Sequence, residues 1–112
     1  MALHPRNYAV YPRFLARHVR EQGLMLLPEA VWRMTGYPAA RFRLPGRGRI
    51  AEGLAADVVV FDPVRIADVA TLTDPYRGAV GIAHVFVHGT EVVTHGVAAP
   101  ERTGRVLRRG SP

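Results

Sequence analysis

Residues 57–63, with the sequence Asp-Val-Val-Val-Phe-Asp-Pro, decide how this chain folds. Four consecutive apolar residues, three of them β-branched, lie between two acidic residues, and a proline follows. A run of this kind predicts a short strand that is buried on both faces rather than on one. Asp57 and Asp62 stand where strand-end turns and caps are expected. The strand therefore needs a covering layer on each side.

The sequence after this strand predicts an irregular stretch and then a hairpin. Residues 64–81 contain a proline and two glycines and show no periodic pattern. The segments Ile82–Val87 and Glu91–Thr94 are strand-like and flank His88-Gly89-Thr90, where Gly89 supplies the positive φ that such a turn needs. The basic residues 103–109 are expected either to add a strand or to fray.

The sequence before this strand predicts a loop and then short helices. Two prolines in residues 4–12 restrict the residue that precedes each of them to extended backbone, so this segment is predicted to be a loop. Apolar residues at helical spacing predict a helix from Arg13 to Gln22 that stops at Gly23. A second helix is predicted from Pro28 to about Thr35, and Pro38 is predicted to open one more helical turn.

The order of these elements indicates an α+β fold. Two or three short helices come first and three or four strands follow, without the βαβ alternation that builds a parallel sheet. We therefore expect helices packed beside a small, mainly antiparallel sheet. The layer that covers the buried strand must come from the helices or from chain outside these 112 residues.

The composition excludes several kinds of catalytic chemistry within the chain. There is no Cys and no Lys, so there is no thiolate nucleophile or ligand, no Schiff base and no phosphate-binding lysine. The one serine, Ser111, lies next to the last residue, where a catalytic triad is not expected. No apolar run approaches the roughly 20 residues of a membrane span, and the N-terminus lacks a secretory pattern, so the expected compartment is the cytoplasm.

Positive charge is concentrated in the first part of the chain. Residues 1–49 carry nine arginines against two acids, a net charge of +7, whereas residues 50–112 carry six against seven, a net charge of −1. Three interpretations of this basic part are open: a solvated face, a surface that docks on an acidic partner domain, or a nucleic-acid-binding surface. No nucleic-acid recognition motif is present, although aromatic residues are interleaved with the arginines: Tyr8, Tyr11, Phe14 and Trp32.

The histidines and glycines do not form a recognisable metal or phosphate site. His84 and His88 are four residues apart in a predicted strand, a separation of about 13 Å, so with His95 they are assigned to the surface or core of the hairpin. Three glycines at residues 46–53 precede a strand and lack a lysine, unlike a phosphate-binding loop. The histidine of greatest interest is His4, in the loop that also carries Arg6, Tyr8 and Arg13.

The order of motifs resembles one enzyme family. Residues 4–13, HPRNYAVYPR, resemble the HPR-x-Y-G-T-F-P-R segment of the N-acyl-D-amino-acid deacylases, or D-aminoacylases, of the amidohydrolase superfamily. Residues 29–42 are similar to that family's E-A…M-T-x-x-P-A…F stretch. Residues 48–63 resemble the superfamily signature G-x-I-x-x-G-x-x-A-D-L-V-V-F-D-P, and the resemblance continues to the end of the chain. One departure is Ala9-Val10-Tyr11, where the family has G-T-F.

The resemblance implies that this chain is the closing part of a larger enzyme. Such enzymes are expected to combine a catalytic TIM barrel with a small β-sandwich built from both ends of the chain, and to hydrolyse N-acyl-D-amino acids with zinc. Their zinc ligands and catalytic Asp lie upstream, and no position here matches them. The expected division is residues 1–47 as the end of the barrel and residues 48–112 as part of the sandwich. The chain alone is then expected to be inactive, with no catalytic residue and no metal ligand.

The resemblance also places the N-terminal loop near the mouth of the barrel. There, His4, Arg6, Tyr8 and Arg13 are candidates for residues close to the substrate, since an arginine suits the carboxylate of an acyl amino acid. The alternative is that Arg6 and Arg13 anchor the loop to the barrel. The expected partner is the missing barrel part, and the other hypotheses are a non-enzymatic docking module and a basic nucleic-acid-binding protein.

Overall fold

The computed structural model describes residues 6–69, 71–74 and 78–108, and for residues 6–9 it describes the backbone alone. Helices occupy the first part of this chain and a four-stranded sheet occupies the second. The α+β fold expected from the order of elements is therefore confirmed. Among the described residues, no helix is long and apolar enough to cross a membrane.

The first element of the described chain is helix α1, Arg6–Arg13, where the sequence predicted a loop. The loop prediction is wrong for residues 6–12, and its first two residues, at 4 and 5, lie outside the described part. The prediction gave Pro12 too much weight as a helix breaker. A proline inside a helix costs about 3 kcal/mol, and the residues that follow Pro12 make stabilising contacts: Leu15 and Ala16 are buried, and Arg13 forms an ion pair.

Helix α1 continues without a break into a π-helical segment, Phe14–Glu21. Its wider winding is visible where the Gln22 N–H donates to the carbonyl of Arg17 at 2.9 Å, a spacing of five residues instead of four. The change in winding follows directly after Pro12, which has no N–H to continue the α-helical pattern. The predicted helix over this segment and its stop at Gly23, where φ is +64°, are confirmed.

Two short helices complete the first part of the chain. Helix α2 spans Leu27–Met34 and helix α3 spans Gly36–Arg41. Pro28 lies in the first turn of α2, where its missing N–H has no cost. The predicted second helix is confirmed within one residue, and the predicted short turn begins two residues earlier than expected.

The four strands form one antiparallel sheet in the order β1-β2-β3-β4. They are β1, Val58–Phe61; β2, Ile82–Val87; β3, Thr90–Thr94; and β4, Val97–Ala98. The first three were predicted from the sequence, and β4 was not. The two residues of the β2–β3 turn, His88 and Gly89, have φ of +53° and +81°, the mirror-image turn that matches the twist of the strands.

Strand β1 differs from its prediction in burial. Val59 is 51% exposed and Val60 is 45% exposed, whereas the sequence predicted burial on both faces. The side chains of Val59 and Val60 point to opposite faces of the sheet, and neither face is fully covered there by the described chain. The apolar run is long enough for a covered strand, but the described chain does not supply the cover.

The core is small and lies where the helices meet one end of the sheet. Leu15, Ala30 and Ile66 form its buried centre, and partly buried apolar residues from the helices, from the loop before α2 and from the ends of β1 and β2 pack around it: Phe14, Val19, Met25, Leu27, Met34, Phe61 and Ile82. Three of the five buried apolar residues of the described chain are alanines. This core is modest for a chain of 112 residues.

Candidate functional site

The segment that carries the predicted substrate-proximal residues is helical. Arg6, Tyr8 and Arg13 lie on α1, while His4 is outside the described residues. The side chains of Arg6 and Tyr8 are also outside the described part, so Arg13 is the one of the four whose contacts can be given. Its guanidinium is on the side of the helix that faces the loop after β1.

Arg13 forms an ion pair with Asp68. Arg13 Nη1 lies 3.1 Å from Asp68 Oδ2, and Arg17 Nε lies 3.5 Å from Asp68 Oδ1. Arg20, farther along the same helical stretch, donates to the carbonyls of Pro63 at 3.1 Å and Ile66 at 2.7 Å. The first helix is thus bound to the loop of residues 63–68 at three successive positions.

The two aspartates that bracket β1 stabilise turns and strand ends, as predicted. Asp57 Oδ1 accepts the backbone N–H of His88 at 2.8 Å, and its other oxygen pairs with Arg47. Asp62 Oδ1 accepts the N–H of Val64 at 2.9 Å, closing a local turn after the strand. Both carboxylates therefore have structural partners within the described chain.

The hairpin brings together a cluster that the sequence did not predict. His84 Nδ1 pairs with Glu91 Oε1, and Thr94 Oγ1 donates to the same oxygen at 2.9 Å. The hydrogen bond from His84, followed by that from Thr94, holds the pKa of Glu91 below its ordinary value of 4.5. The ring of His95 lies 5.2 Å from that of His84, edge to face. A register shift in β3 produces this arrangement, because it places Glu91 opposite Phe86 on the face that His84 shares.

The histidines lie where the sequence analysis assigned them, on the hairpin and its turns. His84 is in β2, His88 is in the β2–β3 turn and accepts a hydrogen bond from Arg105 at 2.7 Å, and His95 follows β3. His18 lies on the π-helical segment with its ring edge-on to Phe14.

A zinc centre does not fit the residues that the structure describes. Within residues 6–69, 71–74 and 78–108, no group of three or more His, Asp or Glu side chains is arranged to hold a metal ion. His84, Glu91 and His95 lie together on the hairpin, but His84 and Glu91 are bonded directly to each other. The described residues therefore do not themselves offer a metal centre.

The basic first part of the chain uses much of its charge internally. Eight of its arginines have side chains that the structure describes, and five of these have partners there: Arg13, Arg17, Arg20, Arg33 and Arg47. Three of these side chains bind the loop after β1, one bonds within α2 and one binds the start of β1. Four of these five side chains therefore join separate elements of the chain, and Arg33 bonds within its own helix.

Comparison with known proteins decides the family. The sequence model of the amidohydrolase family matches residues 4–93. This chain belongs to the amidohydrolase family. Its relatives include the D-aminoacylase of Alcaligenes xylosoxydans xylosoxydans, 46% identical over 106 residues, and the N-acyl-D-glutamate deacylase of the same organism, 47% identical over 107 residues. Each alignment covers 95% of this amidohydrolase chain and 22% of the relative.

Solved structures agree with the sequence comparison. A crystal structure of D-aminoacylase matches this amidohydrolase chain with a TM-score of 0.91 at 44% identity, covering 95% of this chain and 22% of that one. The N-acyl-D-glutamate deacylase from Bordetella bronchiseptica, solved with zinc and a phosphonate inhibitor, matches with a TM-score of 0.86 at 48% identity, covering 94% of this chain and 22% of that one. The chain thus spans about a fifth of the length of the relatives it matches.

Metals are present in these related structures. One matching structure of D-aminoacylase concerns the functional role of that enzyme's binuclear metal centre. Another is of a D-aminoacylase mutant in complex with copper chloride. The expectation that zinc belongs to the family agrees with the zinc in the N-acyl-D-glutamate deacylase structure.

Proposed function

We propose that this chain is the closing part of a zinc-dependent deacylase that hydrolyses the amide bond of N-acyl-D-amino acids. The supporting observation is the match to D-aminoacylase: 95% of this chain aligns at 46% identity, and the backbone superposes with a TM-score of 0.91. Identity of this level over 95% of the chain supports the proposal that it occupies the matching position in an enzyme of the same kind. Zinc in such an enzyme activates water and polarises the scissile carbonyl.

The metal site and the catalytic Asp are proposed to belong to the larger part of the enzyme. Relatives are more than four times as long as the matched segment, since it is 22% of their length. The described residues here contain no group suited to a metal, and the sequence contains no Cys. We therefore expect that these 112 residues alone do not hydrolyse an N-acyl-D-amino acid.

The N-terminal segment is proposed to lie beside the substrate. His4, Arg6 and Tyr8 fall in the motif HPR-x-Y, and the planar guanidinium of Arg6 suits the substrate carboxylate. Arg13 has a different proposed role, because Asp68 already binds its guanidinium. That ion pair supports anchoring of the helix in preference to substrate contact.

The two proposed units correspond to the two kinds of secondary structure. The unit of residues 1–47 contains α1, the π-helical segment, α2 and α3, and is proposed to end the barrel. The unit of residues 48–112 contains all four strands and is proposed to complete a β-sandwich. The half-exposed valines of β1, Val59 and Val60, support a covering layer contributed by the rest of the enzyme.

A two-chain reconstitution tests the proposal. The segment of Alcaligenes D-aminoacylase that this chain does not match is co-expressed with the 112-residue chain and supplied with zinc. We expect hydrolysis of N-acetyl-D-amino acids by the mixture and none by either chain alone. The two single chains are the matched controls. Stoichiometric zinc binding and deacylation by the 112-residue chain alone would overturn the proposal.

A docking module without catalytic function is the second candidate. The exposed edge of β1 and its two half-exposed valines favour it, because such an edge pairs readily with another strand. The same reconstitution separates the two candidates. A stable complex that binds zinc but does not hydrolyse any N-acyl-D-amino acid favours the docking module, and an active complex favours the deacylase.

A further inference from the structure

Three arginines of the first helical stretch hold the loop that follows β1. Arg13 and Arg17 bind the two carboxylate oxygens of Asp68, at 3.1 and 3.5 Å. Arg20 donates to the carbonyls of Pro63 and Ile66, at 3.1 and 2.7 Å. We call this set, the three guanidiniums with residues 63–68, the arginine clasp.

Asp68 is the centre of the clasp. Its side chain is 6% exposed, and burying a carboxylate is costly unless its oxygens are bonded. Each oxygen has its own arginine, and the two arginines come from positions four apart on one helical stretch. No nearer neighbour in sequence supplies these bonds: Arg13 is 55 residues away from Asp68 and Arg17 is 51 residues away.

The clasp fixes more than the local packing, because α1 extends beyond it. Helix α1 begins at Arg6, seven residues before Arg13, which is about 10 Å along an α-helix axis. A continuous helix transmits its rotation and translation along its length. The position of the backbone at Arg6 and Tyr8 is therefore set by the arginines that bind Asp68.

Small displacements at a substrate site have large kinetic effects. A misplacement of about 1 Å can cost about 100-fold in catalytic efficiency, kcat/KM, even when the altered residue is far from the chemistry. If Arg6 binds the substrate carboxylate, loosening the clasp displaces it from that carboxylate. The effect on substrate binding is then larger than the effect on the chemical step, which the metal part of the enzyme performs.

We propose that Asp68 is a positioning residue of the deacylase: through Arg13 and Arg17 it holds α1 so that the Arg6–Tyr8 segment meets the substrate carboxylate. This inference rests on the proposed function. Asp68 does not touch the substrate, and its role is exerted through the two arginines.

The test uses a single-chain chimera in which this chain replaces the matching 22% of Alcaligenes D-aminoacylase. Asp68→Asn keeps the size of the side chain and removes its charge. We expect KM for N-acetyl-D-amino acids to rise at least tenfold, with kcat within about threefold and zinc content unchanged. Asp68→Glu is expected to restore part of the affinity. The matched control is Glu29→Gln, which removes another carboxylate–arginine pair, Glu29 with Arg33 on α2, outside the clasp.

A purely structural role gives a different pattern. If Asp68→Asn lowers the melting temperature but leaves KM equal to that of the Glu29→Gln control, the positioning role is overturned. If Asp68→Asn does not yield folded protein, Arg17→Gln is used, since it removes the longer and weaker bond of the clasp. A raised KM in that variant supports the proposal, and an unchanged KM overturns it.

The unsubstituted chimera separates this inference from the proposed function. An active chimera with an insensitive Asp68 contradicts the inference alone. A chimera that binds zinc and hydrolyses no N-acyl-D-amino acid contradicts the proposed function, and the positioning role is overturned with it.

Discussion

Asp57, at the start of β1, accepts the backbone N–H of His88 in the β2–β3 turn at 2.8 Å. The two residues are 31 positions apart, so this bond joins the edge strand to the far turn of the hairpin. The other oxygen of Asp57 pairs with Arg47, which connects the same strand end to the segment after α3. One carboxylate thus unites three parts of the chain.

Removal of this carboxylate is expected to destabilise the chain. Hydrogen bonds to charged groups contribute about 1.5–3 kcal/mol, and Asp57 is 38% exposed. We therefore expect Asp57→Ala to lower the free energy of unfolding by about 1–2 kcal/mol. Urea unfolding of the 112-residue chain measures this. The matched control is Asp62→Ala at the other end of β1, which loses one local turn bond and is expected to cost about 0.5 kcal/mol. Equal losses in the two variants contradict the account.

Gly81 is expected to be intolerant of any side chain. Its φ is +84°, and a Cβ there would lie 2.5 Å from the backbone of Ile66, at the centre of the core. Gly81→Ala is expected to cost about 3 kcal/mol or more, because the cost of the left-handed backbone adds to that of the overlap.

Gly96 provides the control for this prediction. It has the same φ, +84°, but a Cβ there meets nothing within 4 Å. Gly96→Ala is expected to cost about 1 kcal/mol, the backbone term alone. Melting temperatures and urea midpoints of the two variants give the comparison. Equal losses of stability in the two variants would contradict the close approach of Gly81 to the backbone of Ile66.

Glu91 is expected to titrate below its ordinary pKa of 4.5 because of its hydrogen bonds from His84 and Thr94. A carboxylate with a lowered pKa in the folded state contributes stability that is present above the ordinary pKa and is lost as the pH falls through the lowered value. NMR titration of the Glu91 carboxyl measures the pKa directly. In His84→Ala the value is expected to return toward 4.5, and the Thr94→Ala variant is expected to move it less. A Glu91 pKa that does not respond to His84→Ala contradicts the assignment.

Arg6 gives a prediction about the substrate. In the chimera with Alcaligenes D-aminoacylase, Arg6→Gln is expected to raise KM for N-acetyl-D-amino acids by about 10- to 100-fold, because a bidentate charged bond is replaced by a neutral one. Steady-state kinetics check this, with Arg41→Gln on α3 as an arginine control outside the motif. A KM equal to that of the control removes Arg6 from the proposed substrate site.

Three of the four strands could be predicted because the features that specify them lie within the strands and turns themselves. The run of residues 58–61 and the His88-Gly89 turn specify strand and hairpin through β-branching and positive φ, without information from distant residues. Helix α1 was missed for a corresponding reason. Pro12 gives a strong local signal against helix, whereas the burial of Leu15 and Ala16 and the ion pair of Arg13 with Asp68 depend on residues far along the chain.

The structural roles of some residues could be predicted from the sequence, but the residues to which they bond could not. The strand-end roles of Asp57 and Asp62 followed from their positions, but nothing in the sequence indicated that Asp57 would bind the N–H of His88. The pairing of His84 with Glu91 depends on a register shift between β2 and β3, which no local pattern specifies. The family was predictable because its motifs are contiguous, and residues 4–93 match the amidohydrolase family model.

Hydrolysis by the chimera tests the central claim most directly. The measurement is the rate at which the chimera releases amino acid from N-acetyl-D-amino acids and from their L-enantiomers, with zinc content determined on the same samples. The account predicts zinc-dependent hydrolysis of the D-substrates, preference for them over the L-enantiomers, and no hydrolysis by the 112-residue chain alone. A folded, zinc-loaded chimera that hydrolyses neither enantiomer would contradict it.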